Sequence, residues 1–440
     1  MVNFYFKRID KIYKIVYNNK KGEKMNIKEI AETIKQNGGT LYLVGGAIRD
    51  EIIGKELYDK DYCVTGISKE KFIELFPKAK ILGKSFEVFE IGHMQFALAR
   101  KETKKGRGHK EFEIETGEKI TIEEDLERRD ITINAIAKNV LTEEIIDPFN
   151  GRKDIQNKII RKVSDAFNED PLRVYRVARI VAQTEFEVEK ETLKQMENLK
   201  EELLTLSKER IFVEFRKALE TKKPSIFFNV LRSANVLEVH FKEIYDLIGS
   251  LQPEKYHPEG DSYNHTMIVV DKSAKLTNDT AIRFACLVHD LGKGVTPKEM
   301  YPHHHGHDEK GVKLVENLGN RINVPSIWKS YGKVASKEHM KGGIFYKMTP
   351  AKKVQFIERV AKTKIGLDGL QIVVIADKCS TRDIKEEEVS FAEIGKKCIQ
   401  EINGEVIKSK YPNLEAEEFR EKLHERRVNW MKKEGDKWES

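Results

Sequence analysis

The spacing of the apolar residues changes once along this chain, and that change constrains the fold more than any single motif. Over residues 25 to about 164, short apolar runs alternate with turns: TLYLV (40–44), YDKDYCV (58–64), SFEVFEI (85–91) and MQFALA (94–99) have the every-second-residue rhythm of strands, with helical stretches between them. From Asp165 onward the spacing is helical almost to the end, with long charged faces. Asp170-Pro171, an acid followed by proline at a first turn, starts a helix over 170–182. Pro, Gly and charge cluster again at 252–261, and a His-rich helical segment then runs to about 385. The pattern predicts an α+β head, a mixed sheet with helices, followed by an all-α neck and body and a second all-α domain. The boundaries read 1–24 for an N-terminal extension, 25–164 head, 165–260 neck and body, 261–385 His-rich domain and 386–440 charged helical tail.

Composition narrows the class. Lys and Arg outnumber Asp and Glu by 79 to 72 in 440 residues, a net charge of +7 that permits an anionic partner without requiring one. Cys63, Cys286, Cys379 and Cys398 are far apart with no CxxC pair, so they read as reduced, packed thiols of a cytoplasmic protein. No apolar run approaches the roughly 18 residues of a membrane span, and no membrane association is expected. The first 24 residues are basic and aromatic but lack the apolar core of a signal peptide. They read as a dispensable extension ahead of Met25 or as a basic arm for RNA.

The head carries the first chemistry. Leu41 to Val44 run into Gly45-Gly46 and then a helix bearing Arg49 and Asp50, a turn whose backbone N–H groups can approach a phosphate. Thirteen residues after Gly46 stand Asp59-Lys60-Asp61. On a strand, residues i and i+2 face the same way, so the two carboxylates project together. Two such charges call for a cation between them, and hard oxygen ligands suit Mg²⁺. Glu127 to Ala135, ERRDITINA, sets two arginines and an aspartate before what reads as an apolar helix. Further on, Arg173, Arg176 and Arg179 recur every three residues beside Asp170, which places all four on one helix face.

With those residues in view, the chain resembles the class II CCA-adding enzymes, tRNA nucleotidyltransferases of the polymerase-β-like superfamily. LVGGAIRDEIIGKELYDKD matches that family's first motif, ERRDITINAIA the second, EDPLRVYR the nucleotide-recognition motif and KERIFVEFRKAL (208–219) the next. The resemblance spans roughly residues 40–385. It implies that Asp59 and Asp61 bind catalytic Mg²⁺, that Gly46, Arg49, Arg129, Arg176 and Arg179 hold the nucleotide, and that Asp170 and Arg173 read the base edge. It also implies the acceptor end of tRNA as partner and CTP and ATP as substrates. Chemistry agrees on the base. Cytosine and adenine each present an amine beside a ring-nitrogen acceptor, matching a carboxylate and a guanidinium, whereas guanine and uracil mispair both. Where related sites carry a third carboxylate this chain reads His93-Met94-Gln95-Phe96, so two aspartates are expected to suffice. The basic stretch 99–109 resembles the family's flexible loop, which favours full CCA synthesis.

A second centre follows. His265 opens one helical pattern, His289-Asp290 comes twenty-four residues later, and Asp377 ends an apolar helix. The order His…His-Asp…Asp resembles the HD phosphohydrolase superfamily. It implies His265, His289, Asp290 and Asp377 as ligands of a divalent transition metal, a water as nucleophile, and phosphatase or 2′,3′-cyclic phosphodiesterase activity. His303, His304, His305, His307 and His339 stay open between surface residues, phosphate contacts and a second metal. Two other functions share parts of this pattern. A bacterial poly(A) polymerase shares the head motifs but usually lacks the HD half; the other is an HD nucleotide hydrolase with a decayed head that only binds RNA. Intact Asp59, Asp61, Asp170 and Arg173 argue against the second.

Overall fold

The structure, a computed structural model, describes residues 26–55, 60–82, 88–104, 112–116, 118–255, 257–380 and 383–435. The chain forms two compact units, the first running to Thr103 and resuming over Glu113–Ile155, the second holding Lys104–Phe112 and everything from Gln156 onward.

In the first unit the strands are β1 (Thr40–Val44), β2 (Asp61–Thr65), β3 (Lys80–Leu82), β4 (Val88–Ile91), β5 (Met94–Leu98), β6 (Arg100–Lys104), β7 (Phe112–Thr116), β8 (Ala137–Asn139) and β9 (Ile145–Ile146). β6 and β7 pair with each other, and the other described strands make one sheet in the order β3-β4-β5-β2-β1-β8-β9. β2 and β5 run parallel while every other neighbouring pair is antiparallel, so the sheet is mixed as expected. Helix Ile27–Gln36 buries Ile30, Ala31 and Ile34 and is started by an Asn26–Glu29 capping box. Phe72, on helix Lys69–Leu75, packs 4.6 Å from Phe89 and 4.9 Å from Phe76, closing a core over Tyr62 and Phe96.

One expected helix is absent: after the arginine pair the chain makes a single 3-10 turn, Thr132–Asn134, and enters β8. Ile131, Ile133, Ala135, Ile136 and Ala137 are all fully buried, so the segment is enclosed on every side and lacks the exposed face of an amphipathic helix.

The second unit is mostly helical. Its arginine helix spans Arg173–Thr184, starting later than the sequence pattern placed it, because Asp165–Glu169 forms a 3-10 turn and Asp170 is extended. Phe215 is the pivot of this unit's aromatic core: it lies 5.5 Å from Phe241 and 6.2 Å from Phe228 in the neck, and 6.2 Å from Phe284 in the His-rich part. Arg283 is buried with no carboxylate among its hydrogen-bond acceptors. It donates to the carbonyls of Leu219 and Thr221 at the end of helix Lys208–Leu219 and to those of Ala274 and Thr277 at the end of helix Ser262–Leu276. The neck and the His-rich helices thus share one interior. The charged tail docks through helix Ala416–Gly435, where Arg427 pairs with Glu358 at 2.8 Å. Among the described residues no helix is long and apolar enough to cross a membrane.

Candidate functional sites

The sheet register brings the first two head motifs together. Asp61, the first residue of β2, is the antiparallel partner of Val44, the residue before Gly45-Gly46. Gln95 is its parallel partner on the other side, with Glu90 one strand beyond. Asp61 is exposed at the strand end, and Asp59 lies outside the described residues.

Gly45 is set by its backbone, and it lies close beneath an arginine. Its φ of 72° belongs to glycine, and a Cβ there would stand 2.9 Å from Nη1 of Arg129. Arg49, on helix Gly46–Ile53, is buried. It donates from Nε to Asp50 at 2.9 Å and from Nη1 to the Asn134 side-chain oxygen at 2.8 Å. Arg129 donates from Nη2 to Asp125 at 3.1 Å and from Nη1 to the Asn134 carbonyl at 3.4 Å, while its buried Nε has no hydrogen-bond partner. Asn134 therefore holds both arginines, and its own amide is fixed by Asp130 at 3.2 Å. Asp125, 1% exposed, also takes Arg128 at 2.6 Å. Burial pulls its carboxyl up, but the Arg128 and Arg129 guanidiniums outweigh that and hold it below the usual carboxylate range. Sequence reasoning passed over Asn134 and Asp125.

In the neck, the Arg173 backbone N–H donates to the Asp170 carbonyl at 2.9 Å. Asp170 accepts the Leu172 N–H at 3.1 Å and Arg210 at 2.6 Å. Arg173 donates to the Ala166 carbonyl and lies 3.9 Å from Glu169. Arg179 pairs with Glu214, and Arg176 is half-buried on the same helix. Helix Lys208–Leu219 supplies a partner to each end of the stripe, Arg210 to Asp170 and Glu214 to Arg179.

The His-rich centre is tighter. His265 lies within helix Ser262–Leu276, His289 ends helix Thr280–Val288, and Asp377 sits near the end of helix Gly366–Lys378. All four expected ligands are buried together. His265 Nε2 lies 3.2 Å from Asp377 and 3.9 Å from Asp290, and His289 Nε2 lies 3.2 Å from Asp290 Oδ2. His289 Nδ1 faces the Cys286 carbonyl at 2.7 Å, which only accepts, so that nitrogen carries the proton and Nε2 presents a lone pair. That Nε2 is buried without a hydrogen-bond partner, while the second oxygen of Asp377 pairs with Lys378 at 2.8 Å. A lone pair aimed at a carboxylate inside a protein needs a cation between them, so the donor set fits a divalent metal. Burial pulls Asp290 and Asp377 up. The ammonium of Lys293 holds the first well below the carboxylate range, and that of Lys378 does so for the second.

Glu259, in the loop that the sequence marked only as a break, was missed. It accepts His265 Nδ1 at 2.6 Å and His257 Nδ1 at 2.9 Å, which orients His265 toward the centre. The triple-His run divides: His303 and His305 are exposed with rings 5.9 Å apart, His304 bonds the Leu251 carbonyl at 2.9 Å, and His307 turns inward.

Comparison with known proteins follows this division. Residues 41–161 match the Poly A polymerase head domain, 185–247 the "Probable RNA and SrmB- binding site of polymerase A", and 262–382 the HD domain. A Multifunctional CCA protein of Psychromonas ingrahamii is 45% identical over 307 residues, which are 68% of this chain and 74% of that one. Two solved structures share the fold. A tRNA nucleotidyltransferase complexed with a primer tRNA and an incoming ATP analog is 22% identical, with TM-score 0.56, covering 85% of this chain and 99% of its own. A CCA-adding enzyme in apo form II is 16% identical, with TM-score 0.62, covering 95% of each. A polymerase-type head followed by an HD domain defines the class, a nucleotidyltransferase with an appended HD domain. At 45% identity over most of both chains, the protein belongs to the multifunctional CCA protein family of CCA-adding tRNA nucleotidyltransferases.

Proposed function

We propose that the head adds C, C and A in turn to the 3′ end of tRNA from CTP and ATP. The HD domain, in the same reading, acts as a phosphatase or 2′,3′-cyclic phosphodiesterase, and the protein works in the cytoplasm. The observation that carries the first part is the Asn134 tie on Arg49 and Arg129, beside the glycine turn that Asp61 flanks. Two fixed guanidiniums at a glycine-bearing helix start suit a triphosphate. Mg²⁺ held by Asp59 and Asp61 would supply charge neutralisation for the attacking 3′-oxygen and the departing pyrophosphate. Gly46, Arg49 and Arg129 position the phosphates, Arg176 and Arg179 assist, and Asp170 with Arg173 read the amine and ring nitrogen shared by C and A. Arg210 keeps the Asp170 carboxylate oriented. Gln95 opposite Asp61 supports a carboxylate set limited to the two aspartates.

In the second unit, residues 165–260 serve as neck and body, 261–385 as the HD domain and 386–440 as tail. A divalent transition metal held by His265, His289, Asp290 and Asp377 would supply the Lewis acidity for phosphate-ester hydrolysis. Glu259 fixes the tautomer of His265.

The test offers tRNAs ending before and after CC with each of the four NTPs. Wild type should incorporate C and then A, Asp61→Ala should lose both, and His289→Ala should keep both while losing phosphate release from a 2′,3′-cyclic or 3′-phosphate end. Long A-tracts without C would establish a poly(A) polymerase instead. Incorporation unchanged in Asp61→Ala would remove the head from the chemistry.

A further inference from the structure

Three buried polar atoms near the HD centre belong to neither chemistry described above. They are Nε2 of Gln252, Oγ1 of Thr296 and Nδ1 of His304, none with a hydrogen-bond partner, on side chains of residues 7%, 6% and 9% exposed. Two of the three are oriented by what holds the other end of the group. Lys293 Nζ, which only donates, lies 2.6 Å from Gln252 Oε1, so the amide nitrogen points away from it and offers its protons elsewhere. His304 Nε2 lies 2.9 Å from the Leu251 carbonyl, which only accepts, and burial pushes the ring's pKa down. The ring is therefore neutral, with its proton on Nε2 and a lone pair on Nδ1. The set offers one donor, one acceptor and a hydroxyl able to be either.

All three hang on one knot of backbone. Ser250 Oγ and the Thr296 N–H both donate to the Lys293 carbonyl at 3.1 Å, and His304 holds the carbonyl of Leu251, the next residue after Ser250. Lys293 joins this knot to the HD centre, since its Nζ also lies 2.6 Å from Asp290. The flanking residues are apolar and exposed: Leu251 precedes Gln252, Val295 precedes Thr296, and Met300 precedes Tyr301, whose ring lies 5.4 Å from that of His304. Buried polar atoms left unpaired are costly, so these call for a polar group from outside the chain. An anion does not suit, because Lys293 is taken by Asp290 and the His304 lone pair repels negative charge. An apolar rim over an inner donor and acceptor suits the flat faces and the polar edge of a nucleobase.

We propose that Gln252, Thr296 and His304 form a pocket for the nucleobase of the ester that the HD centre cleaves. Gln252 donates to the base edge, His304 accepts from it, and Thr296 takes whichever role the base leaves over. The HD centre then selects nucleotide esters over phosphate esters at large. This rests on the HD domain's being a phosphohydrolase, as proposed above.

The test uses the full-length protein and two readouts. Hydrolysis of adenosine 2′,3′-cyclic phosphate is compared with that of bis(p-nitrophenyl) phosphate, a diester with neither sugar nor nucleobase. The variants are Thr296→Val and Gln252→Glu, the second keeping the oxygen that Lys293 needs. In each, the ratio of kcat/KM for the first ester to that for the second should fall at least about tenfold, through KM. Adenosine, which carries no phosphate, is also titrated by calorimetry, and parent and variants are compared so that nucleoside bound in the head cancels. The variants should lose affinity by a similar factor, and ribose should not displace adenosine. Thr296→Val removes a buried hydroxyl that has no partner, so its melting temperature should hold or rise. Both esters slowed in proportion, adenosine bound equally by parent and variants, or adenosine displaced by ribose each overturns the base pocket while leaving HD hydrolysis in place. Neither ester cleaved by the parent overturns the phosphohydrolase reading, and the adenosine titration alone then decides the pocket.

Discussion

The two polar centres of this protein solve opposite electrostatic problems. In the head, positive charge is stored in advance: Arg49, Arg128 and Arg129 are each paired, through Asp50, Asp125 and Asn134. In the HD centre, buried lone pairs face carboxylates with nothing between them. A site awaiting a polyanion can be satisfied by its own side chains until the substrate arrives. A site awaiting a cation can pair its carboxylates with Lys293 and Lys378, but its imidazole lone pairs have no such substitute, and it carries the cost of those orphaned nitrogens until a metal binds. The comparison predicts opposite responses to removing one member of each centre.

The largest effect is expected in the head. Asp125→Ala strands two guanidiniums, and equilibrium denaturation should show a loss of about 3–5 kcal/mol. A loss under about 1 kcal/mol would mean that solvent, not Asp125, balances those arginines. The neck supplies a third case, a buried histidine held neutral. Burial pushes His240, bonded to Tyr175 at 2.7 Å, down to about 4. The unfolded chain takes up that proton near its ordinary pKa of about 6.5, so it binds more protons than the folded one between those values. Stability should be full above about pH 6.5 and fall by about 3 kcal/mol toward pH 4. His240→Gln should flatten that limb of the curve, and an unchanged limb would assign it to other groups.

A divalent transition metal at a hundred times its dissociation constant should then stabilise the chelated protein by about 2.7 kcal/mol. His265→Ala should reduce that gain without changing the chelated protein's CTP-independent melting baseline by a comparable amount; equal gains in both proteins would place the metal elsewhere. Smallest, and opposite in sign to Asp125→Ala, His339→Leu should raise the stability of the metal-stripped protein by about 1 kcal/mol, because it removes an unsatisfied buried nitrogen. A loss there would show that the centre is already satisfied without metal.

How much of this was legible in the sequence follows from distance along the chain. The strand–Gly–Gly–helix turn, the strand that carries Asp61 and the order of His, His-Asp and Asp were readable because each shows in a short stretch of sequence. Asn134 escaped notice because its bond to Arg49 spans 85 positions and its partner turn looked like helix. Arg210 and Glu214 were seen as a motif, yet their pairing with Asp170 and Arg179 emerges only when two helices pack. Glu259 was hidden by its surroundings, since proline, glycine and charge normally mark a linker, and here the loop carries a carboxylate that orients a buried histidine. His307 differed from its three neighbours in the run only by direction, which a sequence does not record.

Arg283 sets a practical limit on dissecting the enzyme. Its guanidinium closes the carbonyl end of a neck helix and the carbonyl end of an HD helix at once, beside the contact of Phe215 with Phe284. A truncation that stops near residue 250 removes the donor for Leu219 and Thr221 and uncovers one side of Phe215. Activity lost from such a fragment would measure an opened wall in the neck rather than the contribution of the missing HD domain. Point substitutions in the HD centre, which leave that wall standing, are the way to ask what one half does for the other.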